Sequence, residues 1–211
     1  MKEEEIIEQV KNGNKELYEL LMRKYNQKLY RIARAIVKDD SDAEDILQDT
    51  YLKAYEKLSQ FENRSRFSTW IIRILINNAN STLNKRKRFD KSVLAEDLVQ
   101  NKTEDSSPQT PEFQMSNNEL KKILEQAIDS LPESLRGVYI MREVEGLSVA
   151  ETSDCLNISQ ENVKTRLHRA KAILKDELYK KSKGDIDVFR FGNERCDKVV
   201  LSVMVQLGKL N

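Results

Sequence analysis

The chain has 211 residues, enough for one large domain or two small ones, and its six glycines and three prolines in a charged, helix-friendly background point to an all-α protein. Its 36 Lys and Arg against 35 Asp and Glu exclude a bulk basic surface, so any attraction for nucleic acid has to be local. Two cysteines suit reduced thiols rather than a disulfide framework, and with one histidine no zinc-ligand spacing assembles, so no metal or other cofactor is expected. The opening MKEEEIIEQV has no apolar h-region and no run is long enough to span a membrane, which makes a cytoplasmic protein the expectation.

From Glu4 to Lys38, apolar residues at three- and four-residue steps predict a short helix and a long one, broken at Asn12-Gly13-Asn14. Asp39 to Asp42 is a turn with good capping chemistry. From Asp42 to Leu58 the spacing of Ile46, Thr50, Tyr51, Ala54, Tyr55 and Leu58 gives one core-facing stripe of an amphipathic helix. Its opposite face carries Asp45, Gln48, Asp49 and Leu52, an acidic and amide strip ending in an apolar residue. A solvated helix face is the ordinary explanation of such a strip; a partner surface is the sharper one.

Phe61 to Ser68, FENRSRFS, is too polar for core and holds Arg64 and Arg66. A helix follows, capped by Ser68 or Thr69 and running to about Arg88, with Trp70, Ile71, Ile74, Leu75, Ala79 and Leu83 on its buried side. The other side reads Arg73, Asn77, Asn80, Asn84, Lys87, one continuous polar stripe. Asn is a poor helix former, and Asn77, Asn78, Asn80 and Asn84 together forfeit roughly 2 to 3 kcal/mol of propensity relative to Ala. Solvation alone would be served better by Glu, Lys or Gln. Amides in line with cations suit nucleic acid, because Asn pairs with base edges while Arg and Lys neutralise phosphate. Lys85, Arg86, Lys87 and Arg88 close the helix, either as a basic end complementing the macrodipole or as further phosphate contacts.

The run DAEDILQDTYLKAYEKL, then Phe61, then FSTWIIRILINNANSTLNKRKR, resembles the second conserved region of bacterial sigma factors of the extracytoplasmic-function (ECF) group, over roughly Glu16 to Arg88. The resemblance implies that the first helix, with Asp45, Gln48, Asp49 and Leu52, docks on the clamp helices of the RNA polymerase largest subunit. It implies that the second helix reads the minus-ten promoter element through Arg73, Asn77, Asn80, Asn84 and Lys85 to Arg88. It also turns the Arg64 and Arg66 loop from a solvated connector into a receiver of a flipped base.

Between Asp90 and Asn118 helical periodicity fades, with six acids, two lysines and two prolines among many small polar residues, which predicts a flexible acidic linker after a first domain of residues 1–89. A second domain, residues 119–183, opens with a helix stopped by Pro132, followed by one from about Glu133 to Gly146. In LSVAETSDCLNISQENVKTRLHRAKAIL, Ser148 and Glu151 form a capping box, Asn157 suits a left-handed turn and Ser159 caps the next helix: helix-turn-helix grammar. With Val163, Leu167, Ala170 and Leu174 inward, Glu161, Thr165 and His168 turn outward with Lys164 and Arg169 at their shoulders, the face a recognition helix needs in a major groove. His168 is a contact or a bystander there. The window Lys164 to Lys183 holds eight Lys or Arg against two acids, so local positive charge is concentrated where duplex would lie.

The run from Leu131 to Leu174 resembles the fourth conserved region of the same sigma group, departing from its pattern at Thr152-Ser153 and at Asn157. The resemblance implies minus-thirty-five contacts from Ser159, Gln160, Glu161, Asn162, Lys164, Thr165, Arg166, His168 and Arg169. It implies core RNA polymerase, promoter DNA and an anti-sigma factor or similar regulator as partners, and no bond chemistry of the chain's own. A helix-turn-helix regulator that binds duplex without the polymerase is the rival; it leaves the acidic strip and the Asn stripe unexplained. In the extension of residues 184–211, DIDVFRF alternates like a short strand. Val199, Val200, Val203, Met204 and Leu207 then make an apolar face that needs a partner: the second domain, nearest in sequence, is the first expectation, and the first domain or a partner protein are the others.

Overall fold

The computed structural model describes residues 1–93, 113–178 and 193–209, and every regular element among them is helical. Helix α1 (Glu3–Lys11) runs out at Asn12-Gly13, where Gly13 takes φ +98, and a 3-10 turn at Lys15–Leu17 leads into α2 (Tyr18–Val37). Lys38 adopts a left-handed φ of 65 and swings the chain into α3 (Asp40–Glu56), whose cap Asp39 accepts a hydrogen bond from the Asp42 backbone N–H at 2.9 Å. Helix α4 (Phe67–Val93) begins ahead of the expected caps Ser68 and Thr69 and continues past Arg88. The aromatic rings explain the early start: buried Phe67 packs within 5.6 Å of Phe61, Trp70 and Tyr25, so the entry angle is set by core contacts rather than by a hydroxyl cap. The polar loop before it is thus pinned at both ends by buried phenylalanines, contrary to its reading as a fully solvated segment.

Helices α1 to α4 share a core in which Leu21, Leu29, Ile32, Leu47, Ile71 and Leu75 are fully buried. Two buried phenols inside it are satisfied by backbone: Tyr18 donates to the Tyr51 carbonyl at 2.7 Å and Tyr51 to the Met22 carbonyl at 3.0 Å. Asn78 is also internal. Its amide donates to Thr50 Oγ1 at 3.0 Å and its oxygen accepts from Lys53 Nζ at 2.7 Å, which ties α3 to α4.

The second domain comprises α5 (Phe113–Ser130), α6 (Glu133–Tyr139) with a π-helical turn at Ile140–Val144, α7 (Val149–Leu156) and α8 (Gln160–Leu178). Within the stretch read as linker, α4 extends to Val93 and α5 starts at Phe113, while residues 94–112 lie outside the described residues. The helix-turn-helix punctuation is in place. Ser148 and Glu151 exchange their capping-box bonds at 2.8 and 3.1 Å, Asn157 sits at φ 52, and Ser159 Oγ accepts from the Asn162 N–H at 3.2 Å.

The two domains are docked on each other, α6 against α2 and α7 against α4. Arg136 is the pin. Only 1% exposed, it reaches across to the carbonyls of Ala35 and of Ile36 (3.3 Å) at the end of α2, and also donates to those of Leu131 (2.7 Å) and Asp129 (3.3 Å) in its own domain. One guanidinium therefore caps two helix C-termini, a place where unpaired carbonyls and the negative end of the macrodipole favour a cation. Burial pushes its pKa down, with Asp129 and Glu133 working the other way. Around it, Arg34 binds both carboxylate oxygens of Asp129 at 3.0 and 2.8 Å, and Arg31 reaches Glu145 at 3.2 Å.

The tail departs from expectation. Residues 193–209 form helix α9 (Asn193–Lys209), which lies on α2 and α3 of the first domain and not on the second; the stretch read as a strand lies outside the described residues. Val199, Val200, Val203 and Leu207 are buried there. Proximity in sequence favours the second domain by only a slowly growing loop entropy, whereas the outer face of α8 is mostly polar and offers an apolar helix little beyond Ile173 to bury against. Cys196 accepts from Asn26 Nδ2 at 2.8 Å, far along the chain from Cys155, and both cysteines are free thiols. Burial pushes the Cys155 thiol up to about 12, so it stays protonated and inert.

Candidate polymerase and promoter interfaces

Helix α3 divides its circumference cleanly. Ala43, Ile46, Leu47, Thr50, Tyr51 and Ala54 are buried, while Asp45 and Asp49 are exposed and Gln48 and Leu52 are half-buried. The acidic strip is therefore a real surface feature, with two open carboxylates beside an apolar edge. Leu52 packs partly on the core, which accounts for an apolar residue at the end of a polar strip.

On α4, Arg73, Asn77, Asn80, Asn84, Lys85 and Arg86 are all exposed; Arg73, Asn77, Asn80 and Asn84 form one stripe opposite Ile71, Leu75 and Ala79, Lys85 stands to one side of it, and Arg86 is turned toward α3. Asn78 is the exception among the asparagines: it serves the α3 contact and presents nothing to a ligand. Its position, one residue out of step with Asn77, Asn80 and Asn84, is a signal that helical spacing alone carries. The side chains of Lys87 and Arg88 lie outside the described residues. In the preceding loop Arg64 is 86% exposed with Glu62 at 2.7 Å, and Arg66 stands at the rim of a cavity of about 710 Å³ floored by Tyr25, Phe61 and Phe67 and edged by Glu3 and Lys24. Aromatic side chains with a polar rim can stack a flat heterocycle.

The second domain covers part of this surface. Glu151 pairs with Arg66 at 3.3 Å and Asp154 with Arg73 at 3.4 Å, while Asn77 faces a cleft of about 720 Å³ lined by Ser153, Asn157 and Ser159. Asn80 looks into a second gap together with Arg166, Glu133 and Ser134. Carboxylates of one domain thus stand where phosphates would be expected on the other. Asp42 of α3 likewise holds Arg86 in a bidentate pair.

Helix α8 buries Val163, Ala170 and Leu174 and leaves Leu167 half-buried. Gln160, Glu161, Asn162, Lys164, Thr165, His168 and Arg169 are exposed, and Arg166 is half-buried with its Nε donating to Asn162 at 3.1 Å. The face a major groove would receive is open along most of its length, while Ser159 and Arg166 line gaps at the domain boundary. Thr152 and Ser153, where the pattern departs from the family's, have different fates. Ser153 Oγ donates to the Ile158 carbonyl at 2.5 Å and steadies the turn, whereas the Oγ1 of fully buried Thr152 has no hydrogen-bond partner among the described residues.

Among the described residues no group of His, Cys, Asp or Glu is placed to hold a metal ion, and no helix is long and apolar enough to cross a membrane. Sequence reasoning missed Arg136 and Arg195, whose contacts to α2 and α3 are distant in the chain and leave no periodic trace.

Residues 21–89 match the family model described as Sigma-70 region 2, and residues 121–174 that of Sigma-70, region 4. The chain is 32% identical over 180 residues to the RNA polymerase sigma-H factor of Pseudomonas aeruginosa, covering 83% of this chain and 93% of that protein. It is 30% identical to the ECF RNA polymerase sigma factor SigW of Bacillus subtilis, covering 82% and 94%. In fold it is similar to the sigma factor RpoE of Bartonella quintana, solved in complex with the anti-sigma factor NepR, at a TM-score of 0.61 and 23% identity over 82% of this chain and 99% of that one. Two sigma regions in family order, on a helical frame that presents an acidic strip, an Arg and Asn stripe and a helix-turn-helix, place the chain in the sigma-70 family of RNA polymerase sigma factors, within the ECF group.

Proposed function

We propose that α3 docks on core RNA polymerase through Asp45, Gln48, Asp49 and Leu52, and that α4 reads the minus-ten element with Asn77 and Asn80 while Arg73, Asn84, Lys85 and Arg86 hold phosphates. The Arg64 and Arg66 loop receives an unstacked base over its aromatic cavity, and α8 reads the minus-thirty-five element from Gln160 to Arg169. The observation that carries this reading is the pairing of an open carboxylate strip on α3 with an exposed Arg and Asn stripe on α4, keyed together through Asn78 and Thr50. A polymerase contact and a base-reading contact on one rigid unit suit a promoter-specificity subunit, and a plain duplex regulator needs only the second domain. Bond chemistry belongs to the polymerase, so the chain works in the cytoplasm by binding alone, under a regulator of the anti-sigma kind. With Arg66, Arg73, Asn77 and Asn80 facing the second domain, promoter binding requires the two domains to separate.

Reconstituted transcription with core polymerase on a promoter library tests this. Product from a defined start site that depends on this protein is expected; its absence from every template, with duplex binding retained, would favour the regulator.

A further inference from the structure

We propose that helix α9 is a tethered competitor for the polymerase: it occupies one flank of the docking strip on α3 and has to leave before core polymerase can seat. The proposal rests on the assignment of that strip to the polymerase.

Two kinds of contact hold α9 in place. Its apolar face buries Val199, Val200, Val203 and Leu207 along α2 and α3. Its polar edges are latched at both ends and in the middle. Arg195 donates to Glu44 of α3 at 2.5 Å and to the Tyr30 hydroxyl at 2.6 Å, with its guanidinium 4.8 Å from the Tyr30 ring centroid. Asp197 accepts from Arg23 at 2.7 Å, and the Leu207 carbonyl near the helix end accepts from Lys15 at 3.3 Å.

The middle latch is the informative one. Gln48 Nε2 donates to Ser202 Oγ at 2.5 Å, so one of the four strip residues is already engaged by α9. Glu44, one turn earlier on the same flank, is engaged by Arg195. Asp45 and Asp49, on the adjoining line, remain exposed. A helix with its side chains is about 10 Å across, so a partner element that grips Gln48 and Asp49 together would need the volume that α9 fills. The docked helix therefore leaves half of the strip visible and blocks completion of the contact.

A segment joined to its site through residues 179–192 binds against an effective concentration on the order of millimolar. The apparent affinity for polymerase then falls by the fraction of molecules in which α9 is undocked.

The test is the dissociation constant for core polymerase of the full chain, of a chain stopped after Lys183, and of the full chain with Val203→Asp, which puts a charge in the most buried contact of α9. Both changes are expected to tighten binding by about tenfold or more. Leu201→Asp, at a side chain of α9 that is 68% exposed, is expected to leave binding unchanged. Should the shortened chain fail to fold, Val203→Asp alone decides. Asp49→Arg, made in both the full and the shortened chain, separates the two ideas. If Asp49→Arg weakens binding while neither loss of α9 nor Val203→Asp strengthens it, the strip is the docking site and α9 is a permanent part of the fold. If Asp49→Arg has no effect, the docking assignment falls and the competitor with it.

Discussion

Replacing Arg136 by Met is expected to release the two domains from each other. The side chain keeps most of its length but loses every donor, and four carbonyls lose their partner: Ala35 and Ile36 across the boundary, Leu131 and Asp129 within the domain. A hydrogen bond from a charged donor contributes a net ~1.5 to 3 kcal/mol. Taking the low end for the two crossing bonds, since the one to Ile36 is long, the closed arrangement loses about 3 kcal/mol, roughly a hundredfold in the closed-to-open ratio. Single-molecule energy transfer between dyes at Glu56→Cys and Asp176→Cys, both exposed positions, reads that ratio directly. The parent should give one compact population and Arg136→Met a second, more separated one. Asp129→Asn, which keeps the second domain's own bonds and weakens only the link to Arg34, should move the distribution the same way by a smaller amount. A distribution unmoved by either change, with Arg136→Met lowering only the melting temperature, would mean that Arg136 serves its own domain and that the boundary is held by other contacts.

Asn78 and Asn80 should behave oppositely: Asn78→Ala, which removes the buried bond between α3 and α4 and leaves Thr50 only its bond to the Ile46 carbonyl, should cost about 1 to 3 kcal/mol of stability with promoter preference intact, while Asn80→Ala should leave the melt unchanged and relax preference across minus-ten variants in transcription assays. Thr152→Val removes a buried hydroxyl that has no partner at nearly constant volume and should raise stability by about 1 kcal/mol in urea unfolding. The Glu151 carboxylate is held below its ordinary value, chiefly by the Ser148 N–H and then by its hydroxyl, so it contributes stability that is fully present above the unfolded value near 4.5 and is lost as pH falls through the lower folded one. Glu151→Gln should therefore flatten the acid limb of the stability profile, and Ser148→Ala should cost about 1 kcal/mol at neutral pH. Lys164→Ala with Arg169→Ala should weaken minus-thirty-five duplex binding on every sequence and reduce its salt slope by about 2, whereas Thr165→Ala should act on sequence preference.

What the sequence made legible was mostly local. The break at Asn12-Gly13, the caps at Asp39, Ser148 and Ser159, and the left-handed turn at Asn157 each rest on chemistry within four residues, and the core stripes of α3, α4 and α8 follow from helical spacing. The strip on α3 and the stripe on α4 were legible for the same reason. Contacts between distant residues were not. Arg136 looks like any helical arginine until the end of α2 is brought against it, and the apolar face of α9 announces a need for burial without naming the surface that meets it. The start of α4 was misplaced because hydroxyl caps are visible in a sequence, whereas a ring cluster joining Tyr25, Phe61, Phe67 and Trp70 is assembled only by the fold.

The bond from Asn78 to Thr50, with Lys53 beside it, makes a splint between α3 and α4. A splint fixes a length. The offset between the surface assigned to the enzyme and the surface assigned to the separated strand is then a constant of the first domain, the same on every promoter. On the proposed assignments, the spacer between the two promoter elements would be set instead across the domain boundary and the chain that crosses it. Tolerance to spacer length should therefore be tunable by changing residues 94–112, while the position at which the strands part, counted from the upstream edge of the minus-ten element, should not move at all.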